Sequence, residues 1–494
     1  MKKRILAVAA LAALCSNASA LSILVAPSTG VPSTPTTNTI ADAIAQINAG
    51  VDTSNTITLR STEGALVQAD NLLLTLNAGK NVDFVAESGR PVIIVSWATG
   101  QYCWVLSTGA GCAVTFTGIG FAPEIDLGYG NNVADGISLA GTGAAFSFTD
   151  CIFAANDGTN GLSTLDGSAA FLLPTSASPS VGGRNVGDDW IQLNSNTAAL
   201  TFSNCVVTGC NDDAIVVLGG GASPQAITIN NGTVVANVGG AGFQGAGSNI
   251  AAVFDGTAGR VLFAKCGQRS GFAAATDTGP KFFGSAGVSL NMTKTDVVEA
   301  TNGGVYFFGN NPTVNITDCR LALNNSGNVT PGANLAFGSI AAGPVITNVT
   351  LDYVTIHDSA ATANTDGVIG AEGAALSAQN YVITNSIFSG AGDTYANMKN
   401  DSSSAGASSL SVATSAIVTA GTHAIPTLGD LTAAAGSSVT ADPAYASLTY
   451  TIGRSATNPD FLRPTDAAYL TASSSSGLIG GIRPGASVES WDLF

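Results

Sequence analysis

The chain repeats one short segment many times, and this repeat constrains its fold more than any other feature. The clearest copy is FSFTDCIF at residues 146–153. Related copies begin at Val114, Leu200, Ile227, Val261, Val288, Val314, Val349 and Tyr381, mostly 26 to 35 residues apart. The interval of 54 residues before Leu200 is about twice as long, which predicts a degenerate copy near residues 171–173. A repeat of roughly 20–50 residues predicts a solenoid whose units bury their apolar faces only against one another.

Each copy alternates apolar and polar residues, which indicates a strand with one buried face. A polar pair, such as Thr149-Asp150 or Ser203-Asn204, then interrupts the alternation. Asn and Asp tolerate left-handed backbone angles, so these pairs predict a corner onto a second sheet rather than a hairpin. Another short strand precedes many copies, as in DGISL at 135–139, DWIQL at 189–193 and DAIVV at 213–217. Three short strands per turn predict a parallel β-helix.

The repeat region resembles the pectate-lyase-like right-handed parallel β-helix superfamily, over nearly all of the mature chain. TIADAIAQI at 39–47 is similar to the N-terminal capping helix of that superfamily. NPDF at 458–461, followed by Tyr469-Leu470 and a Ser-rich run, is similar to its closing segment, although the usual Pro after Ser is missing. The resemblance implies an all-β, right-handed parallel β-helix of about twelve rungs with a short N-terminal capping helix. It implies no single function, because the superfamily contains lyases, hydrolases, esterases, epimerases, adhesins and spikes.

The sequence predicts five segments. Residues 1–20 form a signal peptide, with a basic start, an apolar run at 5–14 and the small-x-small sequence Ala18-Ser19-Ala20. Residues 21–55 hold an N-terminal strand and the capping helix, 56–392 the β-helix, 393–439 a Ser/Ala/Thr-rich linker and 440–494 a closing segment over the C-terminal end. We therefore expect a secreted or cell-surface protein of bacterial style. The apolar run at 5–14 is too short to span a membrane.

The charge balance restricts the partners. Charged residues make up 10% of the chain, and the net charge is −16. No basic stripe is present to neutralise phosphates, which excludes nucleic acid as a partner. A polyanionic glycan is disfavoured as well, unless a local basic patch receives it. The predicted partner is a polysaccharide or a cell-surface glycan.

Four cysteines occupy the same place in the repeat, namely Cys151, Cys205, Cys266 and Cys319. Equivalent positions stack on adjacent rungs about 4.8 Å apart, so these thiols are predicted to be buried in an interior column. Their spacing matches no zinc pattern, and no metal site is predicted from them. Local disulfides, Cys103–Cys112 or Cys205–Cys210, stay open as alternatives in an oxidising compartment.

The densest polar cluster is RNVGDDW at 184–190, followed one rung later by NDD at 211–213. This pattern resembles part of the polygalacturonase branch, which has an Asn-Thr-Asp run, then Asp-Asp one rung later, then Gly-His-Gly and Arg-Ile-Lys. The later motifs are absent, because the next rung reads GGAGFQG at 239–245 and no Arg-x-Lys follows. The resemblance implies catalytic roles for Asp189, Asp212 and Asp213, with Arg184, Asp188 and Trp190 binding substrate.

Two interpretations of these acids stay open. In a degenerate glycoside hydrolase, repulsion between stacked carboxylates would raise one pKa and prepare a general acid. Trp190 would then face outward to a sugar ring, and a pair across two rungs would span the roughly 6.5–9.5 Å of an inverting hydrolase. Alternatively, Asp135, Asp189 and Asp213 only turn the corner into each strand.

The predicted function is therefore a secreted β-helix protein that acts on or binds an extracellular polysaccharide. The alternative is a non-catalytic structural or adhesive cell-surface protein. Whether the protein is an enzyme stays open, and a polysaccharide hydrolase or lyase would be the class. No cofactor is expected, except Ca²⁺ if the chemistry is that of a lyase with Arg184 as the nearest base.

Overall fold

Three parallel sheets run the length of the repeat region in the computed structural model. The structure describes residues 21–26, 36–37, 39–60, 66–67, 72–95, 102–123, 135–155, 188–221, 223–267, 278–284, 287–309, 312–324, 333–338, 345–358, 369–372, 376–390, 398–400, 407–417, 443–450, 460–466 and 469. The predicted signal peptide lies outside them. The chain passes from sheet A to sheet B to sheet C and back to sheet A, which makes the fold a parallel β-helix of twelve rungs, counted by the strands of sheet B.

The strands of sheet A are, in spatial order, Thr36–Thr37, Leu21–Val25, Ser54–Leu59, Asn81–Ala86, Ala113–Thr117, Ala145–Thr149, Ala199–Ser203, Gln225–Asn230, Ile250–Asp255, Val288–Thr293, Thr313–Thr317, Val345–Asp352, Leu376–Thr384 and Ala407–Ala413. Those of sheet B, in chain order, are Leu66–Val67, Val92–Val95, Gly120–Pro123, Ile152–Phe153, Val206–Val207, Val234–Ala236, Val261–Ala264, Thr295–Val298, Arg320–Ala322, Thr355–Asp358, Ile387–Gly390 and Ala416–Ile417. Those of sheet C, in chain order, are Leu72–Leu76, Tyr102–Thr108, Asp135–Gly141, Ile191–Leu193, Ile215–Leu218, Phe243–Ala246, Pro280–Gly284, Val305–Gly309, Leu335–Gly338, Ile369–Glu372 and Met398–Asn400.

The corner between sheets A and B uses the backbone conformation that the sequence predicts. Asp150, Asn204, Asn231, Asp318 and Asn385 all have φ between 50° and 56°. Their side chains also bond from rung to rung in places. Asn204 Nδ2 donates to Asp150 Oδ1 at 3.3 Å, for example. The polar pairs therefore turn the chain, as expected for residues that accept the left-handed region.

Among the described residues, one helix, Ile40–Ala49, precedes the first complete rung. It begins after Thr39, whose hydroxyl accepts a hydrogen bond from the backbone N–H of Asp42 at 3.0 Å, and Gly50 follows its end. Ile40, Ala43, Ile44 and Ile47 form its buried face. Asn48 Nδ2 donates to Thr75 O at 2.6 Å, which fixes the helix to the first strand of sheet C. Among the described residues, no helix is long and apolar enough to cross a membrane.

A column of four phenylalanines fills the core behind sheet A. The ring centroids are 4.6 Å apart for Phe84 and Phe116, 4.9 Å for Phe116 and Phe148, and 5.2 Å for Phe148 and Phe202, with the rings within 14° of parallel. This phenylalanine column repeats at the spacing of the strands themselves. Each ring therefore packs against the equivalent ring of the next rung.

Cys151, Cys205, Cys266 and Cys319 are all buried free thiols, as predicted, but they do not share one column. Val261 pairs with Thr295 in sheet B and occupies the position of the other three cysteines, five residues before Cys266. The prediction failed for Cys266 because the copy that begins at Val261 is a strand of sheet B, whereas the other copies are strands of sheet A. The Cys205–Cys210 disulfide is wrong, since both sulfurs are free. Cys112 is also a free thiol. The side chain of Cys103, with which the sequence analysis paired it in an alternative disulfide, lies outside the described residues. Burial raises the pKa of Cys319 to about 12, so this thiol stays protonated and unreactive.

The degenerate copy expected near residues 171–173 does not exist as a rung. Phe146 pairs directly with Leu200 in sheet A, and Ile152 pairs directly with Val206 in sheet B. Residues 156–187 therefore form an insertion between sheet B and sheet C rather than a turn of the helix, and they lie outside the described residues. The prediction of an extra copy was wrong because the inserted residues are about as many as those of one repeat.

The β-helix also extends further than the predicted boundary at residue 392. Met398–Asn400, Ala407–Ala413 and Ala416–Ile417 add one strand to each of the three sheets. Leu410 pairs with Tyr381 and Val412 with Ile383, so the Ser-rich sequence still alternates with the strand period. This part of the predicted linker is therefore the last rung.

In its described part, residues 443–450 and 460–466, the closing segment packs on the outer face of sheet B rather than over the C-terminal end of the helix. Phe461 and Leu462 are buried against a row of apolar outward side chains that includes Val206, Val234 and Leu262. Near the last rungs, the hydroxyl of Ser389 lies 2.6 Å from the hydroxyl of Tyr445. The segment therefore covers an apolar stripe that no other described part of the chain buries.

One buried carboxylate links the closing segment to the rungs. Asp296 is fully buried and accepts hydrogen bonds from Arg320 Nε at 2.9 Å and Arg260 Nη2 at 2.8 Å. Arg320 in turn donates to Phe461 O at 2.7 Å, and its guanidinium lies over the Phe461 ring. Burial alone would raise the pKa of Asp296, but the two guanidinium groups outweigh it and hold that pKa below its usual value.

We expect Asp296→Asn to lower the free energy of unfolding by about 3–5 kcal/mol, because it leaves two buried guanidinium groups without their anion. The contribution of Asp296 is fully present above the usual aspartate pKa and is lost as pH falls through its lowered folded-state pKa. Urea unfolding of wild type at several pH values, with Asp460→Asn at an exposed ion pair as control, measures both effects. Equal costs for the two substitutions would contradict this role.

We also expect Cys151, Cys205, Cys266 and Cys319 to resist alkylation in the native protein, because all four are buried. Mass spectrometry after brief treatment with iodoacetamide, with and without urea, measures this. Rapid native labelling of all four would contradict their burial in the core.

Candidate functional site

The predicted acids lie at the corner where the chain enters sheet C. Ile191 pairs with Ile215, so Asp189 and Asp213 occupy equivalent positions on adjacent rungs, as the 24-residue spacing predicts. Asp212 N donates to Asp188 O at 3.3 Å, which joins the two corners through the backbone. The four acids therefore come from two stacked turns.

Three of these acids converge. One carboxylate oxygen from each of Asp188, Asp189 and Asp212 lies within 4.8 Å of the other two. All three residues are half-buried. We call this group the acidic triad.

Asp213 does not belong to this group. It is 3% exposed, and its Oδ1 accepts a hydrogen bond from the backbone N–H of Ala241 on the next rung. Asp189 Oδ1 accepts from the backbone N–H of Asp213 at 2.9 Å in the same way. Each acid thus bonds the equivalent residue one rung further on, which is the corner role. The geometry of Asp213 therefore fits a residue that turns the chain into the next strand better than it fits a catalytic acid.

Lys281 is a charged member of the site that the sequence argument missed. It lies in the strand Pro280–Gly284 of sheet C, is 4% exposed, and its Nζ is 3.4 Å from the Asp213 carboxylate. The same ammonium group lies 5.5 Å from the centre of the Phe283 ring. The sequence contains one indication of a special role for Lys281, which is that a cationic side chain lies within an otherwise apolar strand. Cations are few in this chain, with 17 Lys and Arg residues in all. Nothing local connects that lysine with an aspartate 68 residues earlier.

Two glycines allow the acids to lie close to the next rung. A Cβ on Gly240 would be 2.4 Å from Oδ1 of both Asp212 and Asp213, and one on Gly239 would be 2.0 Å from Asn211 O. These glycines occupy the stretch where a polygalacturonase would have its histidine. In this chain the stretch provides space for carboxylates instead.

Trp190 is not a sugar platform, which corrects the prediction. Its side chain is fully buried, its Nε1 donates to Thr208 O at 2.6 Å, and its ring packs edge-on against Phe153. The alternation that placed it outward does not reach this residue, because the strand begins at Ile191 and Trp190 still belongs to the corner. Of the other two residues predicted to bind substrate, Asp188 belongs to the acidic triad, and Arg184 lies outside the described residues.

The carboxylates of the site also raise the pKa of a neighbouring thiol, that of Cys210. Burial raises the pKa of Cys210, and the carboxylates of Asp189, Asp213 and Asp212 raise it further. Cys210 therefore stays a neutral thiol and is not a nucleophile. Beside it, the side-chain amide nitrogen of Asn211 is buried and has no hydrogen-bond partner among the described residues.

The donor set of the acidic triad suits a hard cation. Ca²⁺ binds oxygen ligands at about 2.3–2.6 Å, so two ligands of one ion lie at most about 5 Å apart. The 4.8 Å limit within the triad satisfies this. The two carboxyl groups of an inverting hydrolase are about 6.5–9.5 Å apart, and the nearest oxygens of the triad approach more closely than that.

Comparison with known proteins adds no closer assignment. No protein-family model matches the chain, and neither the curated proteins nor the solved structures contain a match. The class of the protein, a parallel β-helix, therefore rests on the three parallel sheets alone.

We expect the buried pair of Asp213 and Lys281 to behave as one unit. Either Asp213→Asn, which keeps the acceptor for Ala241 N–H, or Lys281→Met, which keeps the length of the stem, should cost about 3–5 kcal/mol of unfolding free energy. The double substitution should cost less than the sum by about 0.5–3 kcal/mol. Denaturant unfolding of the four proteins measures this coupling.

The matched control is Lys265→Met. Lys265 forms a partly exposed pair with Glu299 at 3.8 Å, and such pairs contribute about 0–1 kcal/mol. Additive costs for Asp213 and Lys281 would show that their charges do not stabilise each other.

Proposed function

We propose that the protein is exported and binds an extracellular polysaccharide through a divalent cation held at the acidic triad. The observation that carries the proposal is the convergence of Asp188, Asp189 and Asp212 from two adjacent rungs. Carboxylates brought this close repel one another unless a proton or a cation lies between them. Ca²⁺ is the cation that such a flexible, oxygen-only set favours.

A bound cation would add a positive charge at this corner of an acidic protein. With a net charge of −16, the chain repels an acidic glycan at long range. A divalent ion at the triad would offer open coordination positions to hydroxyl or carboxylate oxygens of a sugar. Asp188, Asp189 and Asp212 would hold and orient that ion, and Gly239 and Gly240 would leave them the room to do so.

The positions of the predicted catalytic residues support binding of a polysaccharide better than its cleavage. Of the three acids predicted to be catalytic, Asp213 is buried and bonded to Lys281 and to the next rung. Trp190 is buried too, so it offers no face to a sugar ring. The alternative function, a structural or adhesive surface protein without a ligand at this corner, is favoured by the backbone ladder from Asp189 to Asp213 to Ala241.

The expected result is one Ca²⁺ bound per chain, with the affinity lowered about tenfold, or about 1.4 kcal/mol, in Asp188→Asn or Asp212→Asn, because each substitution replaces a charged oxygen ligand by a neutral one. Isothermal titration calorimetry on the full chain measures this. Saturation with Ca²⁺ at 100 times the dissociation constant should also stabilise wild type by about 2.7 kcal/mol. Asp255→Asn is the matched control, because this acid is half-buried but bonds only locally to Thr257.

Binding to a panel of soluble polysaccharides, with Ca²⁺ and with a chelator, then tests the ligand. Retention that needs both Ca²⁺ and Asp212 supports the proposal. Undiminished Ca²⁺ affinity in the variants would leave the acids as corner residues and favour the structural alternative. Release of new reducing ends would identify an enzyme instead.

A further inference from the structure

The ion pair of Asp213 and Lys281 lies beside the acidic triad. Oδ1 of Asp213 and Oδ1 of Asp212 are each 2.4 Å from the position that a Cβ on Gly240 would take, so the two oxygens are at most twice that distance apart. The backbone N–H of Asp213 donates to Oδ1 of Asp189 at 2.9 Å. Asp213 therefore adjoins two members of the triad, one through its carboxylate and one through its backbone.

Lys281 reaches the acids from two rungs further along sheet C. Val216, in the strand that follows Asp213, pairs with Gln244, and Gln244 pairs with Lys281. Two strand spacings are about 10 Å, yet the ammonium nitrogen of Lys281 is 3.4 Å from both oxygens of the Asp213 carboxylate. The lysine side chain therefore runs back along the sheet toward the triad.

Both charges of this pair are withdrawn from water, because Asp213 and Lys281 are buried. The same ammonium nitrogen also lies 5.5 Å from the centre of the Phe283 ring. Solvent screens buried charges less than it screens surface charges. Each charge of the pair therefore acts strongly on an ion at the neighbouring triad.

The pair as a whole carries no net charge, whereas either partner alone carries a full one. The Asp213 carboxylate attracts a cation at the triad, and the Lys281 ammonium repels it, so the two effects largely cancel. Without Lys281, the corner would present four carboxylates to the cation. Without Asp213, the repulsion from the ammonium group would be unopposed.

We propose that Lys281 is a tethered cation that limits the affinity of the acidic triad for a divalent ion, because it neutralises Asp213 and repels the ion. This inference rests on the proposed Ca²⁺ site and adds the residue that sets its strength. Lys281 is not a ligand, since an ammonium group has no lone pair to offer. Ligand charge is one of the factors that tune Ca²⁺ affinity in proteins, so this lysine keeps the ion exchangeable.

The test is calorimetric titration with Ca²⁺ of the full chain as wild type, Lys281→Met, Asp213→Asn and the double variant. Lys281→Met should raise the Ca²⁺ affinity about tenfold, because a buried positive charge near the ion is removed. Asp213→Asn should lower it about tenfold, although Asp213 is outside the triad. The double variant has the net charge of wild type and should bind about as tightly as wild type.

The opposite signs separate this role from a purely structural one. Lost packing or partial unfolding lowers the affinity in both single variants, whereas charge balance moves them in opposite directions. Circular dichroism verifies that each variant is folded. If Lys281→Met does not fold, Lys281→Gln, which keeps amide donors for Asp213, replaces it with the same expected sign.

Arg60→Met is the matched control, because it removes a cation that is paired with Glu87 far from the triad. Arg60 precedes the strand Leu66–Val67, which lies three strands from Ile152–Phe153 in sheet B. Three strand spacings are about 14 Å, which exceeds the screening length of about 8 Å at physiological salt. Arg60→Met should therefore leave the Ca²⁺ affinity unchanged.

An affinity that is unchanged or lowered in Lys281→Met would overturn the inference, as would equal changes in the two single variants. If wild type binds Ca²⁺ in those cases, the proposed Ca²⁺ site still stands. Binding that occurs in Lys281→Met but not in wild type would overturn the proposed function and support the role of Lys281. Absence of Ca²⁺ binding in all four proteins would overturn both proposals.

Discussion

Parallel pairing of each rung with the next is the interaction on which the rest of this structure depends. Neighbouring strands in a sheet lie about 4.8 Å apart, so every side chain meets its equivalent at nearly contact distance. The phenylalanine column uses this spacing fully, since its rings stack at 4.6 to 5.2 Å. The thiols of Cys151 and Cys205 follow the same rule on two adjacent rungs. Identical apolar side chains pack well when repeated, so repetition itself builds the core.

The same repetition is costly for charges, because it places like beside like. Asp189 and Asp213 occupy equivalent positions, and the structure relieves their repulsion in two ways. Each accepts a backbone N–H from the next rung, and Lys281 places an ammonium group beside Asp213. Asp188, Asp189 and Asp212 still converge, and this convergence is the observation that supports the proposed cation.

The three outer faces of the helix have different chemistry, although all three are built by the same turn of the chain. Sheet A presents small and hydroxyl-bearing side chains, such as Ala145, Ser147 and Thr149, together with Asp83 and Asp255. Sheet B presents an apolar stripe that the described part of the closing segment covers. The entrance to sheet C presents the acidic triad. Arg320 joins the second of these faces to the closing segment through Phe461. A solenoid can carry such independent surfaces because each rung contacts only its neighbours.

The sequence by itself determined the repeat, the inward positions and the corners, because strand period and left-handed angles are local properties that short segments record. It therefore predicted the parallel β-helix, the burial of the four cysteines and the stacking of Asp189 on Asp213, although it placed Cys266 in the wrong column. Only the tertiary structure decided that the insertion before Asp188 is not a rung, that Trp190 points inward and that Lys281 meets Asp213. Those facts depend on which rungs are adjacent and where a strand begins, and contacts between residues distant in sequence leave no local pattern to detect.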